Sequence, residues 1–238
     1  MSLIEILSDA VKYPFSDIKN YLIVGVLAVL ASLANVLQTS GIQNSAVLGI
    51  AGIIAIIFTF IFSGYGIDVI KKAIESSSEF PAIDLKRNLI NGIKAFIIGL
   101  VYLIIPIIIA VLLMGVSGIF GAGINHLAAS LSFASIIVFI VFLLFGIFTV
   151  VALARFADTE DFGAALNVGA VIEDAKKIGI LKIIVFVILV MIISVIISFI
   201  LGIFAVIPYI GVIIATLLAN AFAALFASRA LGLLYARA

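Results

Sequence analysis

Of 238 residues, 66% are hydrophobic and only 11% carry a charge, against roughly 45–50% and about 25% in a soluble domain. Thirteen Lys and Arg against twelve Asp and Glu leave a net charge of +1, which excludes bulk electrostatic attraction to nucleic acid. The absence of cysteine excludes disulfides, thiolate metal sites and cysteine nucleophiles.

A monomer in water rarely leaves large contiguous apolar patches exposed, so this composition calls for lipid as the solvent. Membrane β-strands alternate polar and apolar residues with period two. Here the apolar runs are continuous, as from Ile183 to Ile193. Helices are the remaining way to satisfy every backbone group inside hydrocarbon.

The N-terminal stretch, residues 1–19, holds Glu5, Asp9 and Asp17 against Lys12 and Lys19. A cleavable signal peptide opens with a basic region instead. The first long apolar run, beginning at Tyr21, is therefore read as an uncleaved span. With helical period, Leu3, Ile4, Leu7, Ala10, Val11, Pro14, Phe15 and Ile18 share one face of the preceding stretch, opposite its polar residues.

Three blocks carry no Asp, Glu, Lys or Arg: residues 20–67, 95–154 and 183–228. A span needs about 20 apolar residues, so each block suits two spans and a turn. The expected spans are 20–37, 46–67, 95–115, 130–154, 181–204 and 208–228. Their turns fall at Gln38–Ser45, at the glycine-rich Gly115–Gly123 with Asn125 and His126, and around Pro208, Tyr209 and Gly211. Every charge then lies on one side of the membrane, and the positive-inside rule makes that side, with both termini, cytoplasmic.

The second and third blocks are also preceded by stretches with helical period. In the second, Leu85, Leu89, Ile93, Phe96 and Ile97 form the apolar stripe, opposite Asp84, Arg87, Asn88, Asn91 and Lys94. In the third it is Val168, Val171, Ile172, Ala175 and Ile178, opposite Glu173, Asp174, Lys176 and Lys177. Lys19, Lys94 and Lys182 close the three stretches. The expected architecture is an all-α polytopic bundle. It has six spans as three helical hairpins, each preceded by an amphipathic interfacial helix, in a threefold internal repeat over roughly 1–75, 76–160 and 161–238 of a single domain.

Residues for chemistry are sparse. His126 stands in a predicted outer turn with no acid near it in sequence, and Gly118, Gly121 and Gly123 lack the Lys-Ser/Thr of a phosphate loop. Asp158, Glu160 and Asp161 fit no calcium-loop spacing and read as a solvated face, one of whose acids is expected to cap the third amphipathic helix. The predicted spans hold no mid-membrane ionisable residue of the kind coupled transporters use. Asn220 is expected to face another helix. Ala215, Ala219, Ala223 and Ala227 form a stripe for close helix approach, and Pro106 is expected to kink its span. Arg155 and Arg229, at matching hairpin ends, are expected to pair with lipid phosphates or neighbouring acids.

Tyr13-Pro14-Phe15 with Asp17 and Lys19, Gly64-Tyr65-Gly66, and Asn91-Gly92 with Lys94, leading to Tyr102 and Pro106, resemble an archaeal membrane family known as domain of unknown function 4013. The resemblance covers essentially the whole chain and implies an archaeal multi-pass protein. It implies no activity and no site residues. The sequence thus predicts a non-enzymatic protein of the cell membrane with no catalytic, metal or cofactor site. Its expected partners are membrane lipids and a homo- or hetero-oligomer, not nucleic acid. A transporter or channel for an apolar or lipid-like substrate is the alternative.

Overall fold

A computed structural model describes the backbone of residues 2–120, 124–207 and 210–236, and the side chains of these except 114–134. Every regular element among the described residues is helical. The ten α-helices are α1 (Leu3–Lys12), α2 (Ile18–Ala31), α3 (Leu33–Thr39), α4 (Ser45–Ile74), α5 (Leu85–Phe120), α6 (Ile124–Thr159), α7 (Phe162–Leu166), α8 (Val168–Ile178), α9 (Ile180–Gly202) and α10 (Gly211–Tyr235).

Local chemistry sets many of these boundaries. Ser2 and Glu5 form a reciprocal capping box on α1. Asp17 accepts from the Asn20 amide to start α2, and Asn44 accepts from the Ala46 and Val47 amides to start α4. Asn167 caps α8 through the Ala170 amide. Gly179, at φ 98°, supplies the left-handed residue that separates α8 from α9.

Five helices are long and apolar enough to cross a membrane: Ser45–Ile74, Leu85–Leu113, Ser135–Thr159, Ile180–Val206 and Gly211–Tyr235. Leu3–Phe15 and Ile18–Ala31 qualify together as a sixth, but they meet at 86°. The chain is therefore a multi-pass helical membrane protein with five to six candidate spans. The predicted span at 20–37 is interrupted, because α2 ends at Ala31 and α3 begins after Ser32. Alone, α2 rises about 21 Å, short of a hydrocarbon core about 30 Å thick. In the second predicted turn, α5 continues as helix past Gly115 to Phe120. Gly121–Gly123, the side chains of Asn125 and His126, and Pro208-Tyr209 lie outside the described residues.

The stretches before the spans differ from expectation in two ways. On α1, Leu7 and Ala10 are buried as predicted, but Ile6 is too, whereas Ile4 is 78% exposed. The second stretch is not a separate helix, since α5 runs unbroken from Leu85. Its predicted apolar stripe faces outward: Leu85, Ile93, Phe96 and Ile97 are exposed, while Asn88 and Gly92 are buried. In lipid the outward face is the apolar one, and the polar face turns inward wherever partners await it. The third stretch, α8, buries Val171, Ala175 and Ile178 as predicted, together with Asp174.

The core lies toward the charged ends of the helices. It gathers Ile6, Tyr65, Val69, Ile98, Tyr102, Val151, Phe156, Phe222, Phe226 and Leu234. Helix α10 packs against α1, α2, α4 and α9, and is the most buried of the candidate spans. The opposite halves stay exposed: Ile53, Val111, Phe139, Val195 and Phe199 are all more than 60% accessible. Such a surface suits hydrocarbon and not water.

The tightest crossing joins α4 and α5. A Cβ on Gly64 would collide with the Asn88 carbonyl, and one on Gly92 with the Phe60 carbonyl. The predicted alanine stripe on α10 is buried at Ala215 and Ala219 and only partly buried at Ala223 and Ala227. Asn220 reaches from α10 to Ser32, with 3.5 Å between its amide nitrogen and the hydroxyl oxygen.

Candidate functional site

Three ion-pair clusters join the charged segments into one end of the bundle. In the first, Asp68 on α4 is buried and accepts from three side chains of α5. These are Arg87 at 2.9 Å, Asn88, and Asn91 at 3.4 Å. The glycine crossing one turn earlier brings the two backbones close enough for short Asn side chains to reach the carboxylate.

The second cluster centres on Asp174 of α8, also buried. Arg155 of α6 donates to it at 2.6 Å and the Tyr235 hydroxyl of α10 at 2.8 Å, with Lys177 at 3.7 Å. Arg155 also donates to the Ala164 carbonyl, which folds α7 back on α6.

The third cluster holds Arg229 of α10, only 4% exposed. Its guanidinium donates to Asp9 of α1 at 2.9 Å and to the Ser77 carbonyl, and lies 5.1 Å from the Tyr13 ring centre. Tyr13 in turn stacks on Phe80 at 4.6 Å. Both arginines singled out at hairpin ends are thus paired with acids of another element.

A fourth contact closes the set. Lys71 of α4 donates to Glu160, just past α6, at 2.6 Å. That bond and the lysine charge hold the Glu160 carboxyl below the ordinary carboxylate range. Of the other predicted acids, Asp161 caps the short α7 through the Gly163 amide, not α8 as expected. Asn167 takes the capping role at α8 because it alone stands one residue before that helix.

A polar cavity of about 170 Å³ opens between α4, α5 and α6 beside the Asp68 cluster. Lys71, Arg87, Asn91, Lys94 and Glu160 line it, with Phe156 as an apolar wall. Farther along the same pair of helices, an apolar cavity of about 510 Å³ lies between α5 and α6. Gly99 and Gly146 leave room for it, and Tyr102, Pro106 and Thr149 contribute to its wall. His126 lies outside the described side chains, and no cluster of three His, Cys, Asp or Glu among the described residues has the geometry to hold a metal.

Two features escaped the sequence. Asp68 stands one residue past an uncharged block, where it reads as a surface charge, yet it is the buried centre of a network. The tyrosines enter the sequence only as motif and turn residues, yet every described one donates a hydroxyl bond to another segment. Tyr13 reaches the Glu79 carbonyl, Tyr21 that of Leu218, Tyr65 that of Pro81 and Tyr102 that of Ala165, while Tyr235 reaches Asp174. The available signal was position: Tyr13, Tyr65 and Tyr102 belong to the motifs quoted above, and Asn91-Gly92 pairs an Asp68 ligand with the crossing glycine.

No curated protein and no solved structure matches the chain. Residues 47–206, which include the Asp68 cluster, the crossing glycines and both cavities, match the model of a family described as a protein of unknown function, DUF4013. The match spans more than half of the sequence, and the chain belongs to that family.

Proposed function

We propose that the chain is a non-enzymatic multi-pass protein of the cell membrane whose charged end engages anionic lipid headgroups. One observation carries this reading. The charged segments converge into a single ion-paired end, while the remaining helix surface is apolar and exposed. Basic groups at such a boundary attract anionic headgroups, at about 1 kcal/mol for each Lys or Arg.

In this reading the charged end and both termini are cytoplasmic, by the positive-inside rule. The helices form three hairpins of a threefold repeat. Packing of α2 on α4, α5 on α6 and α9 on α10 supports the hairpins. The order of the ion pairs supports the repeat. Asp68 meets Arg87, Arg155 meets Asp174 and Arg229 meets Asp9, so each hairpin end holds the start of the next unit and the last returns to the first. Lipids, and an oligomer in the membrane, are the partners.

Native mass spectrometry of the full chain from mild detergent tests the proposal. Retained anionic phospholipid or a bound partner is the expected result. A monomer that keeps no partner and shows no preference for anionic lipid overturns it.

The apolar cavity between α5 and α6 favours a second reading, a transporter for an apolar or lipid-like substrate. Substrate movement into liposomes that is blocked by a bulky residue at Gly99 or Gly146 would support it. Unchanged movement in those variants would remove it.

A further inference from the structure

The polar cavity has an unbalanced charge. Its walls carry three cations, Lys71, Arg87 and Lys94, and two carboxylates, Asp68 and Glu160, which leaves +1. Lys71 and Arg87 each have a carboxylate partner, at 2.6 and 2.9 Å. Among the described residues, Lys94 has no carboxylate within ion-pairing distance, and its ammonium lies 5.8 Å from the centre of the Phe156 ring. Glu160 across the cavity feels the Lys94 charge but is already bonded to Lys71, so this partly buried ammonium is incompletely neutralised unless a further anion joins it.

We infer that this cavity binds one phosphate oxyanion, supplied by an anionic lipid headgroup. The chemistry fits in three respects. A phosphodiester carries one negative charge, which neutralises the cavity. Lys94 supplies a point charge, Arg87 a planar fork of donors and Asn91 an amide, a donor set suited to phosphate oxygens. A volume of about 170 Å³ admits several waters, and so a tetrahedral phosphate group. A divalent cation fits poorly, because it would face three positive side chains.

The cavity sits where Lys94 ends the charged part of α5 and the uncharged block 95–154 begins. A phosphate held at this level, at the edge of that uncharged block, leaves its lipid tails level with the apolar surface of the helices. That position selects a membrane lipid over a soluble phosphate as the source. The inference rests on the charged end being a headgroup surface, and it narrows that surface to one pocket.

Native mass spectrometry of the full chain in detergent, titrated with phosphatidylglycerol, tests it. The K94Q variant is expected to weaken binding about five- to tenfold, the effect of losing one interfacial cation. K94R keeps the charge and is expected to stay within about twofold. K176Q removes an exposed charge on α8, away from the cavity, and is expected to leave binding unchanged. Equal losses in K94Q and K176Q would overturn the pocket while leaving a diffuse headgroup surface in place. A wild-type chain that binds no phosphatidylglycerol would overturn both. Inorganic phosphate forms the second arm: if it raises the melting temperature of wild type but not of K94Q, while the lipid fails to bind, the headgroup assignment is wrong.

Discussion

Arg229 on the last helix and Asp9 on the first form an ion pair of 2.9 Å across 220 residues of sequence. The arginine is buried and the aspartate side chain is 40% exposed, so the two partners are not equivalent. Removing the acid strands a buried cation; removing the base leaves an acid that water can reach.

Asp9→Ala is therefore expected to destabilise by about 2–3 kcal/mol, since Arg229 retains only the Ser77 carbonyl and the Tyr13 ring. Arg229→Met, which keeps most of the volume, is expected to cost less. Thermal unfolding of both variants in detergent, followed by circular dichroism, checks the order.

The Gly64–Gly92 crossing permits no Cβ on either side, because backbone carbonyls fill the space. Gly64→Ala and Gly92→Ala are each expected to cost about 1–3 kcal/mol or more, the range for overpacking, and to disrupt the Asp68 network beside them. Gly99 has nothing within 4 Å of a built Cβ. Gly99→Ala is expected to be neutral or stabilising by up to about 1 kcal/mol, since alanine is the better helix former. Yields of folded monodisperse protein in size-exclusion chromatography separate the two outcomes.

Topology is open to direct labelling, because the chain contains no native cysteine. Single cysteines at Gln43 and Ser77 are expected to react with an impermeant maleimide from opposite sides of the membrane, as α4 lies between them. A cysteine at Ser2 decides whether the bent α1–α2 pair crosses. If Ser2 and Gln43 label from opposite sides there are six spans, and if from the same side there are five.

The Lys71–Glu160 pair carries a pH dependence of definite sign. Its carboxyl is depressed below the ordinary value of 4.5, chiefly by the Lys71 hydrogen bond. The pair's contribution is full above that ordinary value and is lost as pH falls through the lower folded value. With side chains 35% and 70% exposed, the pair is worth less than about 1 kcal/mol. Glu160→Gln is expected to lower the melting temperature slightly at pH 7 and to converge on wild type as the pH falls well below the ordinary carboxylate value, in paired melts across that range.

The membrane character, the helical class and the placement of charge at one end follow from composition and spacing alone. Hydrocarbon leaves a chain little choice: uncharged blocks must be helical and charges must leave them. The broken first span, by contrast, was not legible, because Leu22–Val36 is as apolar as the continuous spans and the break at Ser32 arises in the folded helices.

Helix faces were the other blind point. Period analysis cannot distinguish a stripe that faces a protein core from one that faces lipid, since both are apolar. On α1 and α8 much of the predicted stripe turned inward. On α5 the Leu85–Ile97 stripe turned outward, because the Gly64–Gly92 crossing and Asp68 gave the opposite, polar face its partners. Sequence by itself determined that this protein lives in lipid with its charges gathered. Only the tertiary structure decided which charges meet, because those pairings depend on helix crossings between residues distant in the chain.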